Sequence, residues 1–181
     1  MTENTKKVAR CFYALEQARA DRKRYPAVNP IDSYSKYLEY PEFEEYISKH
    51  ISPDWIEMVN EVKTRMQRGK EISEQINILG DDGVPVDYHV TFWKSELIDF
   101  VILQQDAFDA IDSVCPLERQ EFMLKKLMGI CRADFSFANF TNVSEYFKKL
   151  INLFRQMNYS EFKSDKFNEY DKEIDALLIE N

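Results

Sequence analysis

Apolar residues recur along this chain mostly at intervals of three and four, the period of a helix with one buried face. Val8, Cys11, Phe12, Leu15 and Ala18 predict an amphipathic helix that ends before the breaker cluster "YPAVNP". Pro26 pushes Arg24 and Tyr25 away from helical backbone, so residues 25–38 read as an extended, proline-stiffened arm that begins on an aromatic. A short helix follows from Pro41 to about Lys49. Ser52, Pro53 and Asp54 then read as an N-cap, a proline at the first helical position and an acid set against the helix dipole. Beyond them Trp55, Val59, Val62, Met66, Gly69, Ile72, Ile76 and Leu79 form a near-heptad seam that Gly80 stops. At 1.5 Å per residue this helix is about 40 Å long, and its seam needs a partner.

The segment "DDGVPVD" reads as an acidic turn. After it Trp93, Leu97, Phe100, Gln104, Phe108 and Ile111 predict a second long helical face, antiparallel to the first because the connection is short. Pro116 opens a further helix with Leu124, Leu127, Met128 and Cys131 inward, and "RADFSFANFTN" is an aromatic linker. Val143, Tyr146, Phe147, Leu150, Ile151, Phe154 and Met157 mark the next helix. Phe162, Phe167, Tyr170, Ile174 and Leu177 mark a last amphipathic segment from about Ser160 to Leu178. The expected architecture is an all-α bundle with a long antiparallel hairpin, preceded by a helix and an extended arm.

Composition supports that picture. With 181 residues, 44% apolar and 31% charged, the chain belongs with folded soluble proteins large enough for one good core. Four glycines and six prolines provide few turns for a many-stranded fold. A net charge of −8 argues against a general nucleic-acid binder. No run of about 18 apolar residues spans a bilayer, and "MTENTKKVAR" lacks a signal-peptide core, so no membrane insertion is expected and the cytosol is the default compartment.

Candidate chemistry is sparse. Cys11, Cys115 and Cys131 are widely spaced and read as reduced thiols, Cys11 and Cys131 on apolar helical faces. His50 and His89 have no ligand partners at metal spacing, so no metal site is expected. No nucleophile elbow, zinc-protease, phosphate-loop or dinucleotide motif occurs, and no catalytic residue is assigned. The basic run Arg19, Arg22, Lys23 and Arg24 reads as a solvated face or an ion-pair surface.

Three stretches carry a resemblance. "TENTKKVARCFYALEQARADRKRYPAVNPIDSYSKYL", "ISPDW" and "ILQQDAFDAIDSVCPLERQEFMLKKL" together resemble the C-terminal part of the catalytic A subunit of V-type and archaeal-type rotary ATPases. The similarity runs from residue 2 to about residue 131, and "YPAVNPIDSYS" and "LQQDAF" are its specific parts. It implies that residues 1–38 are the end of a nucleotide-binding domain, beginning downstream of its phosphate loop. Residues 39–181 are then the C-terminal helical bundle.

The resemblance also implies site residues. In that family the aromatic before "PA" and the Phe after "QQ-x-A" pack on the adenine of ATP, which assigns Tyr25 and Phe108 here. Tyr25 departs from the more usual Phe but keeps an aromatic face. Ile111 and Val114 extend the apolar wall. The turn between the two long helices faces the central stalk in the family, which assigns Asp81, Asp82 and Asp87. The implied cofactors are ATP or ADP with magnesium in the full-length enzyme, with none held by this stretch alone. The implied partners are B subunits and central-stalk subunits, in an ATPase head on the cytoplasmic side, peripheral to the membrane. The phosphate-loop lysine, general-base glutamate and arginine that carry hydrolysis lie outside this stretch, so the isolated chain is expected to be inactive.

Without the resemblance, Tyr25 reads as a loop aromatic packed on the nearest helix and Phe108 as a core residue of its stripe. Asp81, Asp82 and Asp87 read as a solvated hairpin turn. A second reading of the whole is a stand-alone helical adaptor that binds a partner helix through Tyr37, Tyr40, Phe43, Tyr46 and the "FSFANF" linker. A third is an isolated nucleotide sensor, but half a pocket without phosphate contacts binds at about millimolar strength or worse.

Overall fold

The computed structural model describes residues 8–179. Among them are seven α-helices and one two-stranded sheet, and the chain divides into two compact units, one up to Lys63 and the other from Thr64.

In the first unit, β1 (Cys11–Leu15) pairs antiparallel with β2 (Val28–Ser35), in the register Cys11 with Ser35, Phe12 with Tyr34, Ala14 with Asn29 and Leu15 with Val28. This corrects the helix expected over Val8–Ala18. Five residues fit both periods, and in the strand Phe12 and Ala14 turn inward while Cys11, Tyr13 and Leu15 face solvent. Cys11 is therefore exposed, on a strand rather than on an apolar helical face. A short helix, α1 (Gln17–Asp21), joins the strands.

The arm after Tyr25 is extended, as expected, but β-pairing holds it as well as its prolines. Buried Asn29 accepts from the amides of Ile31 and Asp32 at 2.9 and 3.1 Å, which carries the strand around Pro30. A 3₁₀ turn (Tyr37–Glu39) leads to α2 (Pro41–His50), which agrees with the predicted short helix and buries only Ile47. The long helix, α3 (Trp55–Leu79), starts two residues later than a Ser52 cap would set it. Ser52 is buried and its hydroxyl has no hydrogen-bond partner, while Asp54 C=O accepts from Met58 N at 2.9 Å.

The second unit is the helical bundle. From α3 it buries Met66, Gly69 and Ile72, whereas Leu79 is 60% exposed, so the apolar seam stops short of the helix end. A 3₁₀ turn (Asp81–Gly83) leads into α4 (Val86–Ile98). Five π-helical residues (Asp99–Leu103) follow, closed by Gln104 N donating to Asp99 C=O at 2.9 Å. The helix ends there, which corrects the long face drawn through Phe108 and Ile111.

Next come α5 (Leu117–Arg132), α6 (Phe140–Asn158) and α7 (Asp165–Ile179). Helix α6 is the centre of the unit: it packs against α4 and α7 and buries Val143, Phe147, Leu150, Ile151, Phe154 and Met157. Each such side chain contributes about 1.5–3 kcal/mol on leaving water. Asn139 caps α6 by accepting from Asn142 N at 3.0 Å. Lys126 of α5 reaches across to α7, where it meets the Asp171 carboxylate, the Asp171 carbonyl at 3.0 Å and Asp175 Oδ1 at 2.9 Å.

Candidate functional site

The residues assigned from the sequence fall into both units. In the first, Tyr25 is 54% exposed at the end of a tight turn whose Arg24 N donates to Arg19 C=O at 2.9 Å. Glu16 N donates to Ala27 C=O at 2.9 Å, closing the loop that carries the tyrosine. The basic run is not one solvated face, since Arg22 and Lys23 are exposed, Arg24 is half-buried and Arg19 is buried.

In the second unit, residues 104–116 form a loop, and three aspartates explain why it is not a helix. Asp106 Oδ1 accepts from Phe108 N at 2.9 Å, and Asp109 Oδ1 accepts from Ile111 N and Asp112 N, both at 2.8 Å. Asp112 Oδ2 accepts from Asp106 N at 2.6 Å, and Gln105 Nε2 donates to Asp112 C=O at 2.6 Å. Side-chain oxygens thus take amides that a helix would pair with its own carbonyls. Burial pushes the Asp112 carboxyl above its usual range, against the Asp106 amide and Arg119, which pull it down. Burial likewise raises the Cys115 thiol.

This loop presents Phe108 at 100% exposure, so the core reading of that residue is overturned. Ile111 is half-buried beside it, and Val114 is 66% exposed.

The acidic turn is exposed at Asp81, Asp82 and Asp87, while Val84 of the same turn is buried and anchors it. His89 lies buried behind it with Nε2 2.9 Å from Asp81 C=O and its ring stacked on Phe140 at 5.4 Å. The turn is thereby fixed to the bundle while its carboxylates face water.

The remaining aromatics divide by surroundings. Phe135 and Phe137 of the linker stack on each other and lie tilted against Tyr146, so they are half-buried bundle residues rather than an open surface. Tyr37, Tyr40, Phe43 and Tyr46 are exposed. Among the described residues no group of three or more His, Cys, Asp or Glu is placed to hold a metal ion. Nor is any described helix long and apolar enough to cross a membrane.

Sequence reasoning missed the groups that hold the Phe108 loop: the three aspartates, and Arg119, Asn158 and Tyr159 behind it. Only the aspartates left a readable trace, their spacing of three in "DAFDAID", which suits successive side-chain turns.

Residues 44–146 match the family described as the C-terminal domain of V and A type ATP synthase. The V-type ATP synthase alpha chain of Borrelia duttonii is 33% identical over 180 residues, covering 98% of this chain and 29% of that protein. Those of Protochlamydia amoebophila and Chlamydia trachomatis are 32% and 34% identical, covering 98% of this chain and 30% and 29% of theirs. The chain thus spans under a third of the length of these relatives. With 98% of the chain covered, the similarity takes in most of residues 132–181 as well, which in the sequence alone were helical without being distinctive. Among solved structures, the ATP synthase subunit NeqB of Nanoarcheaum equitans shares the fold with a TM-score of 0.52 at 14% identity, over 72% of this chain and 30% of that one.

Proposed function

Because the chain belongs to the family of C-terminal domains of V- and A-type ATP synthases, we propose that it forms that part of a rotary ATPase's catalytic subunit, gripping the adenine of ATP or ADP and passing nucleotide closure to the central stalk. The observation that carries this reading is Phe108. A wholly exposed phenyl ring costs hydrophobic free energy, yet its loop is fixed in place by three aspartates rather than left free to fold the ring inward. Such a ring is held for a flat apolar ligand, and adenine fits.

In the first unit, exposed Tyr25 on its own closed turn is a second adenine contact of this reading, and in the second unit Ile111 and Val114 are its apolar wall beside Phe108. The exposed Asp81, Asp82 and Asp87, on a turn anchored by Val84 and His89, meet the stalk and move with the bundle when nucleotide closes the site. Magnesium and the phosphate contacts come from the rest of the full-length subunit, and B subunits complete the head, which sits peripheral to the membrane and drives proton or sodium movement. The chain by itself hydrolyses no ATP.

The test is a nitrogen-15 NMR titration of the chain with millimolar ADP, in parallel with a phosphate-release assay. Amide shifts centred on Phe108 and Tyr25, absent at Phe108 in Phe108→Ala, support the adenine contact. Shifts scattered over the surface, or shifts that persist in Phe108→Ala, reject it, and phosphate release above that of an inert control protein rejects the inactive fragment.

A further inference from the structure

Both flanks of the Phe108 loop and one residue within it are tied to one place, the C-terminal end of α6 and the residue that follows it. At the entry, Asn158 Nδ2 donates to Val101 C=O at 3.2 Å within the π-helical residues that lead into the loop. At the exit, buried Arg119 donates through Nη2 to Asn158 C=O at 2.5 Å and to Met157 C=O at 3.2 Å. Within the loop, Tyr159 O–H donates to Asp106 Oδ2 at 3.3 Å. The other oxygen of that carboxylate is the one that accepts from Phe108 N at 2.9 Å. A single side chain therefore stands between the tyrosine hydroxyl and the backbone of the exposed phenylalanine.

We propose that Tyr159, and Asn158 beside it, are positioning residues for the nucleotide contact: through Asp106 and Val101 they set the pose of Phe108, and with it nucleotide affinity. This rests on the reading of Phe108 as the adenine contact. It gives the α6–α7 corner a part in ligand binding although neither residue touches the ligand. An exposed ring has no neighbours of its own to fix it, so its orientation is inherited from its backbone. The backbone is fixed at Asp106, whose carboxylate is shared between the Phe108 amide and Tyr159. Losing one shared hydrogen bond widens the set of ring poses, and a ligand that needs one pose binds less well in proportion.

The experiment uses the whole chain in four forms: wild type, Tyr159→Phe, Asp106→Ala and the double substitution. Tyr159→Phe keeps the ring and removes only the hydroxyl. Hydrogen exchange at the Phe108 amide and the ADP dissociation constant are measured in each. Tyr159→Phe is expected to speed exchange at Phe108 and to weaken ADP by about threefold to tenfold, the worth of one hydrogen bond. Amides of α4 and α6 keep their wild-type protection, and adding Tyr159→Phe to Asp106→Ala changes nothing further. That lack of additivity is the signature of a tie running through Asp106. Normal exchange and affinity in Tyr159→Phe, or an equal loss in the Asp106→Ala background, overturns the proposal while leaving the adenine reading standing. A wild-type Phe108 that does not respond to ADP overturns both.

Discussion

Gly69 of α3 and Ser95 of α4 approach so closely that a Cβ on the glycine would stand 2.2 Å from the serine Cβ. No pair of real side chains tolerates that distance. Alanine is worth about 1 kcal/mol more than glycine inside a helix, yet here the steric term is larger. Gly69→Ala is expected to lower unfolding free energy in urea by about 1–3 kcal/mol. Ser95→Gly in the same chain restores more of the loss than Ser95→Ala, which removes the Oγ that would stand 2.3 Å away but keeps the Cβ at 2.2 Å.

Lys126 of α5 reaches onto α7 as a side chain only 11% exposed, against Asp171 and Asp175. Replacing it by methionine removes the charge, keeps the stem and leaves Asp171 without its partner. A loss of about 1–2 kcal/mol is expected in urea unfolding. The exposed pair Lys49–Glu45, separated by 2.6 Å within α2, is the control, and Lys49→Met should stay within about 0.5 kcal/mol of wild type.

How much of this was legible from sequence depended on whether a residue's neighbours in the chain decide its state. The stripe on α6 and the inward residues of α5 were readable because burial of a helical face repeats at a fixed interval. The strand at Cys11–Leu15 was not, because five residues fit either period and the deciding partner, β2, begins thirteen residues later. The apolar face drawn through Gln104, Phe108 and Ile111 failed for a local reason. Its spacing is helical, but Asp106, Asp109 and Asp112 draw the amides to their own side chains. Phe108 as a site residue came from resemblance, while the ties from Arg119, Asn158 and Tyr159 join positions some 40 to 60 residues apart that no local pattern connects.

Asp112 sets a pH dependence. Burial raises its carboxyl above the ordinary value of 3.8, so the folded chain holds that proton to higher pH than the unfolded chain does. The stability tied to this proton is complete below pH 3.8 and is lost as pH rises through the folded value. Asn at this position stays neutral and still accepts from Asp106 N. The stability difference between Asp112→Asn and wild type is therefore expected to move in favour of the variant as pH climbs from about 3 to 7, in urea unfolding at matched ionic strength. A constant difference across that range would show that the carboxyl ionises alike in both states.

Phe108 and Phe154 have the same side chain in opposite surroundings, one fully exposed and one fully buried in the α6 stripe. Phe154→Ala opens a cavity and is expected to cost about 3–5 kcal/mol. Phe108→Ala removes no packed contact, so its unfolding free energy should stay within about 0.5 kcal/mol of wild type, or rise slightly as apolar surface leaves water. The two melts measured side by side decide what the ring is for. If Phe108→Ala were as costly as a core truncation, the ring would be packing in solution and unavailable to any ligand. If it is neutral, the fold gains nothing from the phenyl group, and what remains to account for it is the contact it makes with something outside this chain.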